Sequence, residues 1–251
     1  QFGYAGSTVT SKLIEGHAYG DLFGTGYARY NSTYDGYLID NKDPWLIGEN
    51  GFPTKQTNLL IANSTPKWIG GLNTTFRYKD FSLNALFDTR QGQYKYNQLD
   101  NFFSAFGIAA YTLDRNDTKV FNGVLANGSP NTKAVWLGQG IGPDGVDYTD
   151  GYYRNSAYGH RGYSENFVQD ASWFRLRSLC LTYSLPARWL AATMVSTASV
   201  TLTANNLWLH TNYKGFDPET SSYNSGSNVA GFSGFSYPAT RSYLFTLNVG
   251  F

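Results

Sequence analysis

KWIGGLNTTFRY-KD-FSLNALFDTRQ, Lys67 to Gln91, is the stretch whose alternation decides the fold. In its first half Trp68, Gly70, Leu72, Thr74, Phe76 and Tyr78 share one face, and Asn73, Thr75 and Arg77 share the other. In its second half Phe81, Leu83, Ala85 and Phe87 oppose Ser82, Asn84, Asp88 and Arg90. A period of two is the signature of a strand with chemically different faces. Lys79-Asp80 reads as a two-residue turn, which sets Phe76 opposite Leu83 and Leu72 opposite Phe87. A slip of one residue would carry apolar side chains into the polar face, so the pattern pins the register.

Working outward, three more segments repeat the pattern. Trp173 to Leu185 places Leu179, Leu181, Tyr183 and Leu185 on one face and ends at Pro186, which has no N–H for a ladder. From Ala198, Val200, Leu202 and Ala204 alternate with Thr201, Thr203 and Asn205, and Trp208 keeps the parity of the apolar set. YLFTLNVGF, Tyr243 to Phe251, puts Tyr243, Phe245, Leu247, Val249 and Phe251 on one side. These strands are about 9–13 residues long, against roughly 5–6 in soluble sheets and roughly 9–11 for a tilted transmembrane strand. Connections alternate between short (Lys79-Asp80, and the stretch after Pro186) and long (92–170 and 211–236). That asymmetry is the outer-membrane pattern, with short turns in the periplasm and long loops outside. The expected fold is all-β: the C-terminal strands of a transmembrane antiparallel barrel, with a hairpin at 66–91, a long external region at 92–170, strands at 171–210, an external loop at 211–236 and a final strand at 237–251. Residues 1–65 are expected to hold further strands and their external extensions.

Composition fits a wall between lipid and water. Aromatic residues make up 17% and charged residues only 15%, against roughly 25% charged in soluble domains, yet the mean hydropathy is −0.36. The longest apolar runs, such as Leu59-Leu60-Ile61-Ala62, fall far short of a spanning helix, so any crossing must be made by strands. A net charge of +1 argues against nucleic-acid binding, and one cysteine, Cys180, excludes an internal disulfide. The chain starts at Gln1 without a signal peptide, which points to processing or to a fragment. A soluble β-sandwich with one wet face is the competing architecture, but it explains neither the strand lengths nor the loop asymmetry.

The C-terminal stretch resembles the end of the SusC/RagA family of TonB-dependent outer-membrane transporters of Bacteroidota. The residues that carry the likeness are, in order, Pro66-Lys67-Trp68, Tyr78-Lys79-Asp80-Phe81-Ser82-Leu83, Phe174-Arg175-Leu176-Arg177 through Leu181, Tyr183, Leu185 and Pro186, then Asn205-Asn206-Leu207, Tyr213 to Glu219, Tyr237-Pro238, and Arg241-Ser242-Tyr243 to Phe251. Glu15-Gly16-His17 adds a weaker point of likeness. The resemblance implies a barrel of 22 strands with an N-terminal plug and a TonB box. Neither plug nor box is recognisable here. At roughly 25–30 residues per strand and connection the chain is too short for such a barrel. The expected partners are therefore the remainder of the barrel and plug, on a companion polypeptide or a longer chain, a SusD-like lipoprotein lid, TonB acting through the plug, and the lipid and lipopolysaccharide of the outer membrane.

Motifs that carry chemistry are sparse. Gly140 to Gly145 matches G-x-G-x-x-G, but Pro143 and the missing βαβ context make it a loop. Asp144, Asp147 and Asp150 recur at spacing three, a weak calcium candidate set beside the reading of a solvated loop. Asp217 and Glu219 read as turn residues or a partner contact. His17, His160 and His210 are scattered, and no zinc motif or hydrolase elbow occurs. Cys180 is expected to be an inert lumen-side or packing residue. No catalytic residue and no cofactor are expected. Trp136, Tyr148, Tyr152, Tyr153, Tyr158 and Tyr163 crowd the long region with Phe102 and Phe103; they are read as substrate or lid contacts, with loop packing as the alternative. Trp68, Tyr78, Trp173, Tyr183, Trp208 and Phe251 are read as interface aromatics. The expected function is import of oligosaccharide or peptide nutrients, with an outer-membrane scaffold or a soluble carbohydrate-binding β-protein as alternatives.

Overall fold

Segments of strict alternation become strands because period two is the geometry of the pleat. A computed structural model describes residues 2–3, 9–223 and 229–251; the parts of the 1–65 and 211–236 regions at 1, 4–8 and 224–228 lie outside the described residues. In chain order the strands are β1 (Phe2–Gly3), β2 (Thr10–Ser11), β3 (Asp21–Tyr27), β4 (Lys55–Asn63), β5 (Trp68–Tyr78), β6 (Phe81–Gln91), β7 (Tyr94–Asn97), β8 (Thr118–Val120), β9 (Ala134–Trp136), β10 (Val168–Asp170), β11 (Trp173–Ser184), β12 (Thr197–Thr211), β13 (Phe232–Ser233) and β14 (Ser242–Gly250). Two short helices, α1 (Gln98–Ala105) and α2 (Ala187–Leu190), follow β7 and β11. No described helix is long and apolar enough to cross a membrane.

Pro66–Gly92, Ala171–Tyr213 and Tyr237–Phe251 make one unit. It is a five-stranded antiparallel sheet in the order β14-β12-β11-β6-β5. In the β5–β6 hairpin Leu72 pairs with Phe87 and Phe76 with Leu83, as the two-residue turn predicts. Lys79 reaches the turn with φ 52, in the left-handed region that such turns use. One face carries Leu72, Phe76, Leu83, Leu181, Leu202, Phe245 and Leu247, all exposed. Seven large apolar side chains in one open band is far more than a soluble monomer leaves in contact with water.

The other face is polar and internally bonded. Asn84 Nδ2 donates to Asn73 Oδ1 at 2.7 Å and Thr75 Oγ1 at 2.9 Å. Arg177 pairs with Asp88 at 2.9 Å, and the hydroxyls of Thr182 and Thr201 meet at 2.9 Å. Cys180 lies on this face, its Sγ 3.3 Å from Thr203 Oγ1.

Aromatic residues mark both ends of the apolar band. Trp68, Phe174 and Trp208 lie at the end from which the long connections depart; Tyr78, Phe81, Tyr183 and Trp189 lie at the end of the short turns. Phe251 follows β14 at the latter end and is exposed. Trp68 and Tyr78 are ten steps apart, about 34 Å along a strand. A strand tilt of roughly 40° reduces this to about 26 Å, close to the roughly 25 Å apolar band of outer-membrane barrels.

Trp173 departs from the interface reading. The register of β11 shifts between Leu176 and Ser178, so Leu179 pairs with Ala85 but Leu176 pairs with Phe87. The extra residue exchanges the faces of β11. Trp173, opposite Arg90, therefore turns to the polar side and is only 1% exposed. Phe174 takes the outward place, with ring centroids 5.7 Å from Phe87 and 5.8 Å from Trp208. β12 absorbs one more residue between Asn205 and Trp208, where Asn206 has φ 54, and so Trp208 returns to the face of Leu202.

Gln1–Thr65, Gln93–Asp170 and Lys214–Ser236 make the other unit. Its sheets are separate from the five-stranded one: β1-β2-β3-β4, β10-β7-β13 and β8-β9. Every residue of β3 is buried, and Gly24 and Gly26 permit the close approach, since a Cβ on Gly26 would collide with Leu38. One apolar cluster centres on Leu22, Ile61, Tyr96, Phe167 and Phe232, a second on Phe52, Phe121, Val135 and Leu137. Arg29 and Glu165 form a nearly buried ion pair at 2.5 Å, and Glu165 also accepts from the Tyr27 N–H at 3.0 Å.

Two outcomes are expected. Leu247→Arg, on the apolar face at mid-strand, should cost roughly 2–4 kcal/mol of barrel stability, whereas Thr246→Arg on the opposite face should cost little; urea unfolding in lipid vesicles measures both. Glu165→Gln leaves Arg29 buried without its counter-charge and should destabilise the second unit by roughly 3 kcal/mol, read as faster limited proteolysis of the 93–170 segment.

Candidate functional site

The second unit encloses a cleft of about 550 Å³, a size typical of ligand sites. Tyr27, Trp45, Phe121, Tyr152 and Tyr153 form much of its wall, and Asp100, Tyr111, Asp114, Lys119, His160 and Lys214 bring the polar groups. Tyr27 is buried at the centre of a ring stack, 4.0 Å from Trp45 and 4.1 Å from Tyr163. α1 presents Asp100 from its first turn, where Asn97 caps the helix by accepting from the Asp100 N–H. Tyr111 donates to Asp100 Oδ1 at 3.0 Å, and Tyr153 donates to Asp114 Oδ1 at 2.5 Å. Each carboxylate is thus oriented by a tyrosine, and each retains lone pairs for a further donor.

Burial and carboxylate neighbours raise the Tyr111 and Tyr153 hydroxyls far above the ordinary phenol range, so both remain donors. Burial comes first in lowering His160, to about 4, and the nearby Lys119 charge adds to it. His160 is therefore neutral at pH 7. Its ring lies 5.2 Å from Tyr111 and 5.6 Å from Tyr153, and Ser104 Oγ is 3.1 Å from Nδ1.

Of the six aromatics expected to contact substrate or lid, the structure places Tyr152 and Tyr153 in this cleft. The others pack. Trp136 donates from Nε1 to the Asn116 carbonyl at 3.0 Å and meets Tyr148 edge-on. Tyr148 is buried, with its hydroxyl on Asp144 at 2.6 Å. Tyr158 rests on Phe52, and Tyr163 is fully buried, donating to the Pro53 carbonyl at 2.6 Å. Tyr148 and Tyr163 thus have both ring and hydroxyl engaged within the loop unit.

Asp144 and Asp147, two of the three weak calcium candidates, take turn-capping positions. Asp144 accepts from Tyr148 and the Val146 N–H, and Asp147 accepts from the Thr149 N–H, so both cap turns. Among the described residues no group of three or more His, Cys, Asp or Glu could hold a metal ion. Gly140 and Gly145 take positive φ in a small loop whose base is closed by Tyr148 N–H to Gly140 O at 2.8 Å and whose tip turns on Gly145 N–H to Gly142 O at 2.9 Å. Asp217 accepts from the Glu219 N–H at 2.9 Å, again a turn.

Sequence reasoning missed Tyr27, Trp45, Asp100, Tyr111, Asp114 and Lys119. They are spread from 27 to 119 without a shared spacing, so no local signal marks them. His160 was visible only as an isolated histidine. One outcome is expected from its environment. A histidine whose folded pKa lies below the ordinary 6.5 adds stability above that value, and the contribution is lost as pH falls through about 4. Thermal melting of the protein in detergent should thus fall over that window, and His160→Gln should remove this component.

No protein-family model matches the chain. It is 26% identical over 260 residues to TonB-dependent receptor P3 of Formosa agariphila, covering 96% of this chain and 23% of that protein. It is 28% identical over 221 residues to TonB-dependent receptor P26 of the same organism, covering 84% and 20%. Among solved structures it is similar to the RagAB peptide importer in its 'open-open' state, with a TM-score of 0.52, 22% identity, and 99% of this chain on 25% of that one. The 'closed-closed' state gives a TM-score of 0.53 at 18% identity. The chain spans a fifth to a quarter of the length of these proteins. The chain is thus similar in sequence to TonB-dependent receptors of a Bacteroidota bacterium, and in fold to about a quarter of the SusC/RagA-like outer-membrane barrel of the RagAB importer.

Proposed function

We propose that the chain supplies part of the wall and of the external loops of a TonB-dependent nutrient importer. The observation that carries this reading is the continuous apolar face of the five-stranded sheet, bounded by aromatics at both ends and backed by a polar face. Such a sheet divides lipid from an aqueous interior. The cleft in the loop unit is lined by aromatic rings together with carboxylate, ammonium and imidazole groups, a lining suited to recognition.

In this reading the remainder of the barrel pairs with β5 and β14, and a plug on that remainder closes the pore. TonB displaces the plug, using the inner-membrane proton gradient. A SusD-like lipoprotein covers the loops and traps an oligosaccharide or peptide between the two proteins. The importer reading accords with the RagAB peptide importer, which the chain resembles in fold.

The expected result in cells carrying the complete protein is that this chain stays with the outer-membrane fraction through alkaline carbonate washing, and that uptake of a fluorescent nutrient oligomer stops when a protonophore collapses the gradient. Release by carbonate would sink the barrel assignment. Uptake indifferent to the protonophore would leave a scaffold or passive pore.

A further inference from the structure

Two connections close the same end of the five-stranded sheet, and they differ in chemistry. Ser184 N–H donates to the Asp80 carbonyl at 2.8 Å, so the β5–β6 turn and the β11–β12 connection leave the sheet side by side. The first is Lys79-Asp80, two charged residues of opposite sign. The second, LPARWLAATMVS from Leu185 to Ser196, is far longer than the two residues a hairpin needs. Leu185, Trp189, Leu190, Met194 and Val195 make it apolar, and its one charged residue is Arg188. A turn that projected into water would leave these apolar side chains wet.

The connection is ordered and held in place. Trp189 N–H donates to the Pro186 carbonyl at 2.9 Å, and Thr193 N–H to the Leu190 carbonyl at 2.8 Å. Ser196 N–H reaches the Gly250 carbonyl at 2.8 Å, which ties the segment to the end of β14. Leu190 lines a hollow with Ser184 and Asn248, so α2 lies across the strand ends. Trp189 remains 57% exposed, and its ring centroid is 6.3 Å from that of Tyr183. Tyr183 pairs with Phe81 and Val200 and has the parity of Leu181, so Trp189 carries the apolar face beyond the strands. What covers that face covers Trp189 too, whereas a group packed on the polar side of the sheet does not reach it.

We propose that the β11–β12 connection is a membrane foot, lying on the periplasmic leaflet with Trp189 at the boundary of the acyl chains and Arg188 on the phosphate of an anionic phospholipid. The inference rests on the barrel-wall reading and names a lipid partner for it. Continuity with the apolar face selects lipid as the occupant. An indole, apolar in body with one polar N–H, favours the boundary between chains and headgroups. Arg188 is exposed, follows no acid and precedes none between 185 and 196, and so presents an uncompensated positive charge to a headgroup. Its long apolar stem lets the guanidinium reach phosphate while the backbone stays beside Trp189.

The test uses the complete transporter in vesicles of phosphatidylcholine with a minority of phosphatidylglycerol, with Cys180 and any further cysteine changed to Ser. Nitroxide labels are placed at Trp189→Cys, at Asp80→Cys in the neighbouring turn and at Leu247→Cys on the apolar face. Collision with oxygen, which concentrates in lipid, is compared with collision with a water-soluble nickel complex. The label at 189 is expected to favour oxygen, as at 247, and the label at 80 to favour nickel. Phosphatidylglycerol retained by the detergent-extracted protein is expected to fall about fivefold in Arg188→Gln and to be kept in Arg188→Lys. A label at 189 as open to nickel as that at 80, or retention unchanged in Arg188→Gln, would overturn the proposal. If the label at 247 still favours oxygen in that case, the foot fails and the barrel wall stands; nickel access at 247 as well would overturn both.

Discussion

Backbone hydrogen bonding in a solvent that offers none is the constraint behind this structure. In the hydrocarbon layer each unpaired N–H or C=O costs several kcal/mol, so strands cross only as members of a continuous ladder. The five strands meet this condition along β6, β11 and β12, which are paired on both sides. β5 and β14 are paired on one side among the described residues. Those two edges are where the proposed remainder of a barrel would join.

Once the ladder is set, the pleat decides which groups meet lipid. The apolar face would be a liability in water and is a requirement in a bilayer. The polar face uses short side chains bonded to one another across strands, such as Thr182 with Thr201, which satisfies them without projecting far from the wall. The β11 irregularity shows how local this logic is. A single extra residue exchanges Trp173 for Phe174 on the outward side, and aromatic continuity survives because Phe174 packs between Phe87 and Trp208.

The long excursions are not structureless connections. They gather into a unit with its own buried strand β3, two apolar clusters and the Arg29–Glu165 pair. A rigid loop unit can present a preformed cleft, which lowers the entropy cost of capturing a ligand. Most tyrosines of the region contribute to that rigidity, with Tyr163 as the extreme case, and a smaller set faces the cleft.

The hairpin register at Lys67–Gln91, the strand character of the segments ending at Leu185 and Phe251, and the polar side for Cys180 were legible in the sequence alone, because period-two alternation and a two-residue turn are local properties. The face of Trp173 was not, since parity counted from Leu179 carries no trace of a bulge that arises only when β11 aligns with β6 and β12. Nor was the cleft. Its walls join Tyr27, Asp100, Tyr111, Asp114, His160 and Lys214, residues that only the folding of three separate segments brings together. Local patterning determines which residues make strands and which side of each strand meets oil; where distant side chains converge depends on long-range packing, and that information belongs to the tertiary structure.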